Sequence, residues 1–121
     1  MRTGMGAWGP GIFEDDVAMD VRGMLEEALD QGWDLERATR RVLDEMADAL
    51  DDMDDGPVIY LALAALQLER GTVLERIRNR ALEIIARDAG LERWADTGGE
   101  TLDARRRVLD DLRKSLEESR D

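Results

Sequence analysis

The feature that most constrains this chain is a run of ten residues, PVIYLALAAL at positions 57–66, which contains no charged side chain. A membrane-spanning helix needs about 18–20 apolar residues, so this run has about half the required length. A helix without a polar face has to be enclosed by other elements. The run therefore predicts a helix over residues 57–70 at the centre of the fold. Gln67, near the end of this helix, must find a hydrogen-bond partner if it is buried.

The segments on both sides of this helix carry apolar residues at helical spacing. A first helix is predicted to begin near Glu14–Asp16, because carboxylates suit the positive end of a helix dipole, and to end at Gly32. Asp34 is predicted to cap a second helix, whose apolar face continues to Met53. Pro57 fits the first position of the third helix, the central one.

Two further helices are predicted after the central one. Gly71 ends the central helix, Thr72 starts a fourth helix, and Asp88-Ala89-Gly90 stops it. Residues 91–100 are predicted to form a loop, and Thr101 to cap a fifth helix. That fifth helix has a narrow apolar stripe suited to one line of contact, consisting of Leu102, Leu109, Leu112 and Leu116.

No stretch of the sequence calls for a β-strand. We therefore predict an all-α single domain over residues 1–121, with an extended arm at 1–13 and a bundle of four to five helices at 14–120. The arm is predicted to be irregular because Pro10 lies between Gly9 and Gly11, which is a turn-forming combination.

The composition excludes several kinds of chemistry. The chain has no cysteine and no histidine, which rules out disulfides, thiol catalysis and histidine-based acid–base catalysis. Any bound metal would have to be a hard cation held by oxygen atoms. The N-terminal segment MRTGMGAW lacks the apolar stretch of a signal peptide, so we expect a cytoplasmic location.

Negative charge is concentrated in one part of the chain. Residues 14–55 contain sixteen acidic and four basic residues, whereas residues 56–121 contain thirteen and twelve. Such a surface disfavours nucleic acid and anionic lipid, and favours a protein partner with a basic surface, or simply solubility. The leading hypothesis is a non-enzymatic protein that acts by protein–protein contact, as an immunity protein or antitoxin does. Its candidate partner-binding residues are Asp44, Asp48, Asp51 and Asp52.

The arginines of the second half have their own possible partners. An outward stripe on the fourth helix, and three consecutive arginines on the fifth, could pair with the acidic half within one chain or in a dimer. The two tryptophans Trp33 and Trp94 are expected to pack in the core or at its rim. The arginines concerned are Arg76, Arg80 and Arg87, and Arg105, Arg106 and Arg107.

Two alternatives to the leading hypothesis remain open. Some all-α nucleotide pyrophosphohydrolases bind magnesium through E-x-x-E and E-x-x-D pairs, and this chain has Glu27-x-x-Asp30 and Glu45-x-x-Asp48. At about 100° per residue, however, three of these four carboxylates point away from the apolar faces of their helices and towards water. The leading expectation is therefore that the chain binds no cofactor. The other alternative is a structural homo-oligomer formed through the leucine stripe of the fifth helix.

Three stretches of the chain together resemble a known family. They are MGAWGPGIFEDDVAMD (5–20), DDGPVIYLALAALQLERG (54–71) and RALEIIARDAGLERW (80–94). In this order and spacing they resemble an uncharacterised bacterial family, the domain of unknown function DUF4259. The chain departs from the family's pattern at its end, KSLEESRD, where a longer basic tail is expected. The resemblance carries over no catalytic residue, but implies that a set of signature residues serves the fold or a shared partner: Gly6, Trp8, Gly9, Gly11, Phe13, Asp16 and Gln67.

Overall fold

The computed structural model describes residues 11–13, 15–52, 55–87 and 99–119. These residues form a single all-α domain without a β-strand, as the sequence predicts. The helices, numbered in chain order, are α1 (Asp16–Asp30), α2 (Leu35–Glu45), α3 (Ala47–Leu50), α4 (Asp55–Glu69), α5 (Glu75–Ala86) and α6 (Gly99–Glu118).

Helix α4 is the predicted central helix. It contacts α1, α3, α5 and α6, and its buried residues lie on every side of the helix rather than on one face. The helix begins at Asp55, two residues before the predicted start. Pro57 is tolerated there because the first-turn N–H groups of a helix have no partner within the helix. The prediction of an enclosed apolar helix is confirmed.

The second predicted helix is interrupted. Met46 has φ −104° and ψ 22°, and it separates α2 from the four-residue α3. The sequence indicates one helix across this position, which is wrong. Met46, Ala49 and Leu50 remain half-buried against the core on both sides of the interruption. The apolar spacing therefore continues through the break and cannot reveal it.

The predicted starts of the first two helices, and the end of the first, are confirmed. The Asp15 carboxylate accepts hydrogen bonds from the backbone N–H groups of Val17 (2.8 Å) and Ala18 (3.3 Å), and Asp34 accepts one from Arg37 (2.7 Å). Gly32 has φ +94°, a left-handed conformation that glycine adopts without steric cost, and it follows α1 directly.

Two predicted caps are wrong. Helix α5 begins at Glu75 with Leu74 at its N-cap position, so Thr72 does not start it. Helix α6 begins at Gly99, which places Thr101 inside the helix. No side-chain hydrogen bond caps α5 at Leu74. Most of the predicted loop (residues 91–98), the stop at residues 88–90 and residues 1–10 of the arm lie outside the described residues.

The leucine stripe of α6 packs within the chain itself. Leu109, Leu112 and Leu116 are buried, and Leu102 packs against the same core. Helix α6 contacts α4 and α5 along this line. The predicted line of contact is therefore used inside the monomer, and it is not left on the surface for a homo-oligomer.

Gln67 joins three helices in the interior. Its side chain is fully buried; Nε2 donates a hydrogen bond to the Thr39 hydroxyl of α2 (3.0 Å), and Oε1 accepts one from the N–H of Leu74 (2.9 Å). The amide thus takes the place of a capping side chain beside the N-terminus of α5. Thr39 is also fully buried, so both side chains depend on each other for hydrogen bonding.

Replacing Gln67 by leucine should destabilise the fold by about 1–3 kcal/mol, because the Leu74 N–H and the Thr39 hydroxyl then lose their partner while still buried. Thr39→Val should cost less, since it leaves the Leu74 bond in place. The double variant should cost less than the sum of the single variants, because they share one hydrogen bond. Urea unfolding followed by circular dichroism measures all three, and additive losses would contradict this coupling.

Gly56 permits a close approach between α3 and α4. A Cβ atom at this position would lie 2.6 Å from the backbone oxygen of Leu50, whereas one on Gly23 of α1 would meet nothing within 4 Å. Both glycines lie in helices. An alanine substitution can therefore be compared at the two positions, because the space available to the added Cβ atom differs between them.

Gly56→Ala should destabilise the protein by about 1–3 kcal/mol, since the backbone of Leu50 has to move. Gly23→Ala should stabilise it by about 0.5–1 kcal/mol through higher helix propensity. The two variants should therefore shift the midpoint of thermal unfolding in opposite directions. Equal shifts would show that α3 does not pack on α4 as closely as the structure has it.

Candidate acidic interface

Three exposed carboxylates lie between the end of α2 and the turn after α3. They are Asp44, Asp48 and Asp51, which we call the acidic patch. Within the described part of the chain, no ion pair joins any of the three to an arginine or lysine. The acidic patch therefore presents its charge to the solvent.

Asp52, the fourth candidate partner-binding residue, has a structural contact. It is also exposed, but its carboxylate accepts a hydrogen bond from the N–H of Asp55 (3.0 Å) at the start of α4. This is the arrangement of a helix cap, whose loss destabilises a helix. Asp52 is consequently a poor position for testing a partner surface, because its replacement would also affect α4.

The four candidate magnesium ligands do not form a cation site. Glu27 and Glu45 lie on either side of the Arg41 guanidinium, at 3.6 Å and 3.4 Å. Asp30 and Asp48 are exposed, and the described residues contain no group of three or more acidic side chains that could hold a metal. An arginine between two glutamates satisfies their charge without a metal, so these residues do not fit magnesium.

A second feature of α2 is an open cleft of about 290 Å³, which sequence reasoning missed. Trp33, Arg37, Arg40 and Arg41 line it and are called the arginine cleft here; Asp44 and Glu45 complete its wall. The guanidinium carbons of Arg37 and Arg41 lie 4.4 Å and 5.2 Å from the centre of the Trp33 ring.

The sequence contains a pattern from which the arginine cleft could have been predicted. The spacing Trp-x-x-x-Arg-x-x-Arg-Arg from residue 33 places all four side chains on one side of a helix and its first turn. Three of the four basic residues in the acidic part of the chain are in this short segment. Trp33 therefore lies at the rim of the core, as the sequence predicts. In addition, the guanidinium groups of Arg37 and Arg41 lie over its ring.

The arginines of α5 pair in two ways. Arg76 reaches Glu36 of α2 at 3.0 Å, which is the predicted pairing with the acidic half, whereas Arg80 pairs with Glu83 of its own helix at 2.9 Å. The side chain of Arg80 also lies over Tyr60, beside a cavity of about 260 Å³. Arg87 lies 4.0 Å from Glu83.

The three consecutive arginines of α6 do not form an outward group. Arg105 is buried, at 1% exposure, whereas Arg106 and Arg107 are exposed. Arg105 therefore lies inside the fold, whereas Arg106 and Arg107 present their charge to the solvent. A helical turn of about 100° per residue separates adjacent side chains enough to bury one and expose its neighbours.

The structure describes four of the signature residues. Phe13 packs against the core beneath the guanidinium of Arg22, at 5.1 Å, and Asp16 is the first residue of α1. Gly11 lies in the half-buried segment before it. Gln67 joins helices in the interior, as described above. The remaining signature residues, Gly6, Trp8 and Gly9, lie outside the described part of the chain.

Two carboxylates of α6, Asp110 and Glu117, differ from the acidic patch in being paired. Asp110 lies 2.6 Å from Arg113 and 3.3 Å from Lys114, and Glu117 lies 2.9 Å from Arg113. The hydrogen bond from Arg113, followed by that from Lys114, lowers the pKa of Asp110 below its ordinary value. Arg113 and Lys114 thus satisfy the charge of these two carboxylates along the helix itself.

Comparison with known proteins gives one match. A family model described as "Domain of unknown function (DUF4259)" matches residues 6–119, which confirms the resemblance seen in the sequence. No curated protein and no solved structure matches the chain. Among the helices in the described ranges, none has both the length and the apolar character needed to cross a membrane.

The pairing of Asp110 has a measurable pH dependence. Since its folded-state pKa is lowered, the ion pair stabilises the fold above the unfolded-state pKa and is lost as the pH falls through the folded-state pKa. Carboxyl carbon shifts in an NMR titration should give a midpoint for Asp110 below the ordinary value of an aspartate. Arg113→Gln should raise the Asp110 midpoint towards its ordinary value; an unchanged midpoint would contradict the pairing.

Proposed function

Because the chain belongs to the DUF4259 family, whose function is unknown, we propose its function from its own surface: it binds a protein partner through the acidic patch. The partner presents a basic surface, and the chain contributes no catalytic group. The contact takes place in the bacterial cytoplasm, and neither a membrane nor a nucleic acid takes part in it.

The uncompensated charge of Asp44, Asp48 and Asp51 supports this proposal most directly. Elsewhere in the described chain, carboxylates such as Glu83 and Asp110 have an arginine within 3 Å. A carboxylate that is already paired gains little from a new cation, whereas an unpaired one can still form an ion pair with a partner. Three unpaired carboxylates in one short segment therefore mark a surface for cations.

The charge distribution of the chain supports the same choice of partner. The formal net charge is −12, and most of it comes from residues 14–55. A field of one sign raises the rate of encounter with a basic protein and repels polyanions such as nucleic acid. An anionic helical protein that covers a basic surface, as an immunity protein or antitoxin does, matches these properties.

The variant Asp44→Lys, Asp48→Lys and Asp51→Lys tests the acidic patch while leaving the Asp52 cap intact. The wild-type chain, immobilised, should retain a basic protein from bacterial lysate at about 50 mM salt and release it at higher salt, since screening weakens exposed charge pairs. The variant should lose that protein, because three attractive contacts become repulsive. Mass spectrometry identifies what each column retains.

A matched control carries the same change of charge on another face. The residues Asp103, Asp111 and Glu118 of α6 are exposed, and no described cation pairs with them. Their triple replacement by lysine should leave the partner bound. Loss from both variants would indicate an effect of net charge alone, and retention by both, or an empty wild-type column, would overturn the proposal.

A further inference from the structure

The outward side of α2 and α3 carries opposite charges at its two ends. Arg37 and Arg40 lie near the start of α2, Asp44 lies near its end, and Asp48 lies on α3; all four side chains are exposed. Their separations of three or four residues place them on one side of a helix. Together they form a stripe that is basic at one end and acidic at the other.

The interruption at Met46 leaves this stripe nearly continuous. The N–H of Met46 still bonds to the oxygen of Val42 (3.0 Å), and the N–H of Leu50 bonds to the oxygen of Met46 (3.0 Å). Both are the i to i−4 bonds of an α-helix. The chain therefore keeps a helical path on each side of the interruption, with Asp44 before it and Asp48 after it.

We propose that this stripe binds a second copy of the chain, with the two α2 helices antiparallel about a two-fold axis. An axis at the level of residue 42 places Arg40 of each copy opposite Asp44 of the other. In the same register, Arg37 of each copy is level with residue 47 of the other, one residue from Asp48. Antiparallel pairing brings each basic end onto an acidic end, and two-fold symmetry forms every contact twice.

The arginines of the stripe are positioned for such a contact. Arg37 stacks on Trp33 at 4.4 Å, and no described carboxylate forms an ion pair with it. Arg40 has one carboxylate neighbour, Glu36, at the limiting distance of 4.0 Å. Arg41, in contrast, is held between Glu27 and Glu45. A stacked guanidinium keeps its N–H groups directed outward, which reduces the entropy lost on binding.

Charge complementarity favours a second copy as the occupant of this stripe. A purely basic partner would satisfy the acidic end and repel the arginine end, whereas a second copy satisfies both. The leucine stripe of α6 is already buried within the monomer, at 0% exposure for Leu116, so it does not compete as a surface for self-association. This inference rests on the proposed function, because it uses Asp44 and Asp48 of the acidic patch. It proposes a second copy of the chain as their partner.

The net charge of −12 opposes self-association, and the balance depends on salt. At about 10 mM salt the screening length is about 30 Å, so the whole charge of each chain repels the other. At about 150 mM it falls to about 8 Å, which screens that repulsion more than it weakens pairs in contact. At about 1 M it is about 3 Å, and the contacts weaken too. Dimerisation should therefore be strongest at intermediate salt.

Analytical ultracentrifugation of the full chain at these three salt concentrations tests the proposal. A dimer that is most abundant at about 150 mM supports it. Self-association that only increases with salt would indicate apolar contact and would contradict the proposal. A chain that stays monomeric at all three salt concentrations, at protein concentrations up to about 500 μM, would overturn it. Light scattering on the same samples gives the mass independently.

Two charge-reversed variants provide the decisive comparison. The acidic variant is Arg37→Glu with Arg40→Glu, and the basic variant is Asp44→Lys with Asp48→Lys. Each alone should dimerise at least about tenfold more weakly than the wild type, because every pair becomes repulsive. An equimolar mixture should form a heterodimer, because all pairs are then attractive. Failure of the mixture to associate, with both variants folded by circular dichroism, would overturn the proposed register.

A matched control separates the stripe from the effect of net charge. Arg106 and Arg107 are exposed on α6, so Arg106→Glu with Arg107→Glu changes the charge as much as the acidic variant does. Mixed with the basic variant, this control should form much less heterodimer than the acidic variant does, because two of the four charge pairs are then repulsive, and equal formation would contradict the proposal. A monomeric wild type that still retains a basic protein from lysate would overturn self-pairing alone and leave the proposed function standing.

Discussion

The constraint on which the structure depends is the absence of a polar face on α4. Because apolar side chains leave that helix in every direction, other helices have to cover all its sides, and α1, α3, α5 and α6 do so. The one polar side chain of α4 that is fully buried, Gln67, is held by Thr39 and by the backbone of Leu74. A buried amide of this kind specifies how its neighbours are placed, since a shifted helix would leave it without partners.

Helix α2 connects this interior with the surface. Its inward side contributes Thr39 to the Gln67 contact and buries Ala38 and Val42, which fixes the orientation of the helix. Its outward side then presents arginines at one end and aspartates at the other. The position of the charged side chains is therefore a consequence of core packing, and the stripe can act as a rigid surface.

Much of the fold could be predicted from the sequence, because its signals are local. Asp15 and Asp34 cap the helices that follow them, and Gly32 and Gly71 adopt the positive φ angles expected where a helix ends. The errors have a physical cause as well. Thr72 and Thr101 are plausible caps in isolation, but Gln67 of the preceding helix supplies the acceptor beside α5, and α6 already contains Thr101. At α5, the local preference for a hydroxyl cap was overridden by the way the end of α4 packs against the start of α5.

In the candidate site, too, some features follow from the sequence alone and others depend on tertiary packing. By itself the sequence determined that residues 14–55 are strongly acidic, that cysteine and histidine chemistry is absent, and that α4 is enclosed, since each follows from residue identity and spacing. Only the tertiary structure decided that Asp52 caps α4 while Asp44, Asp48 and Asp51 have no ion pair among the described residues, and that Arg41 lies between Glu27 and Glu45, two of the four candidate magnesium ligands. The physical reason is that charge pairing depends on distances of a few ångströms between different helices, and these distances are set by packing around α4.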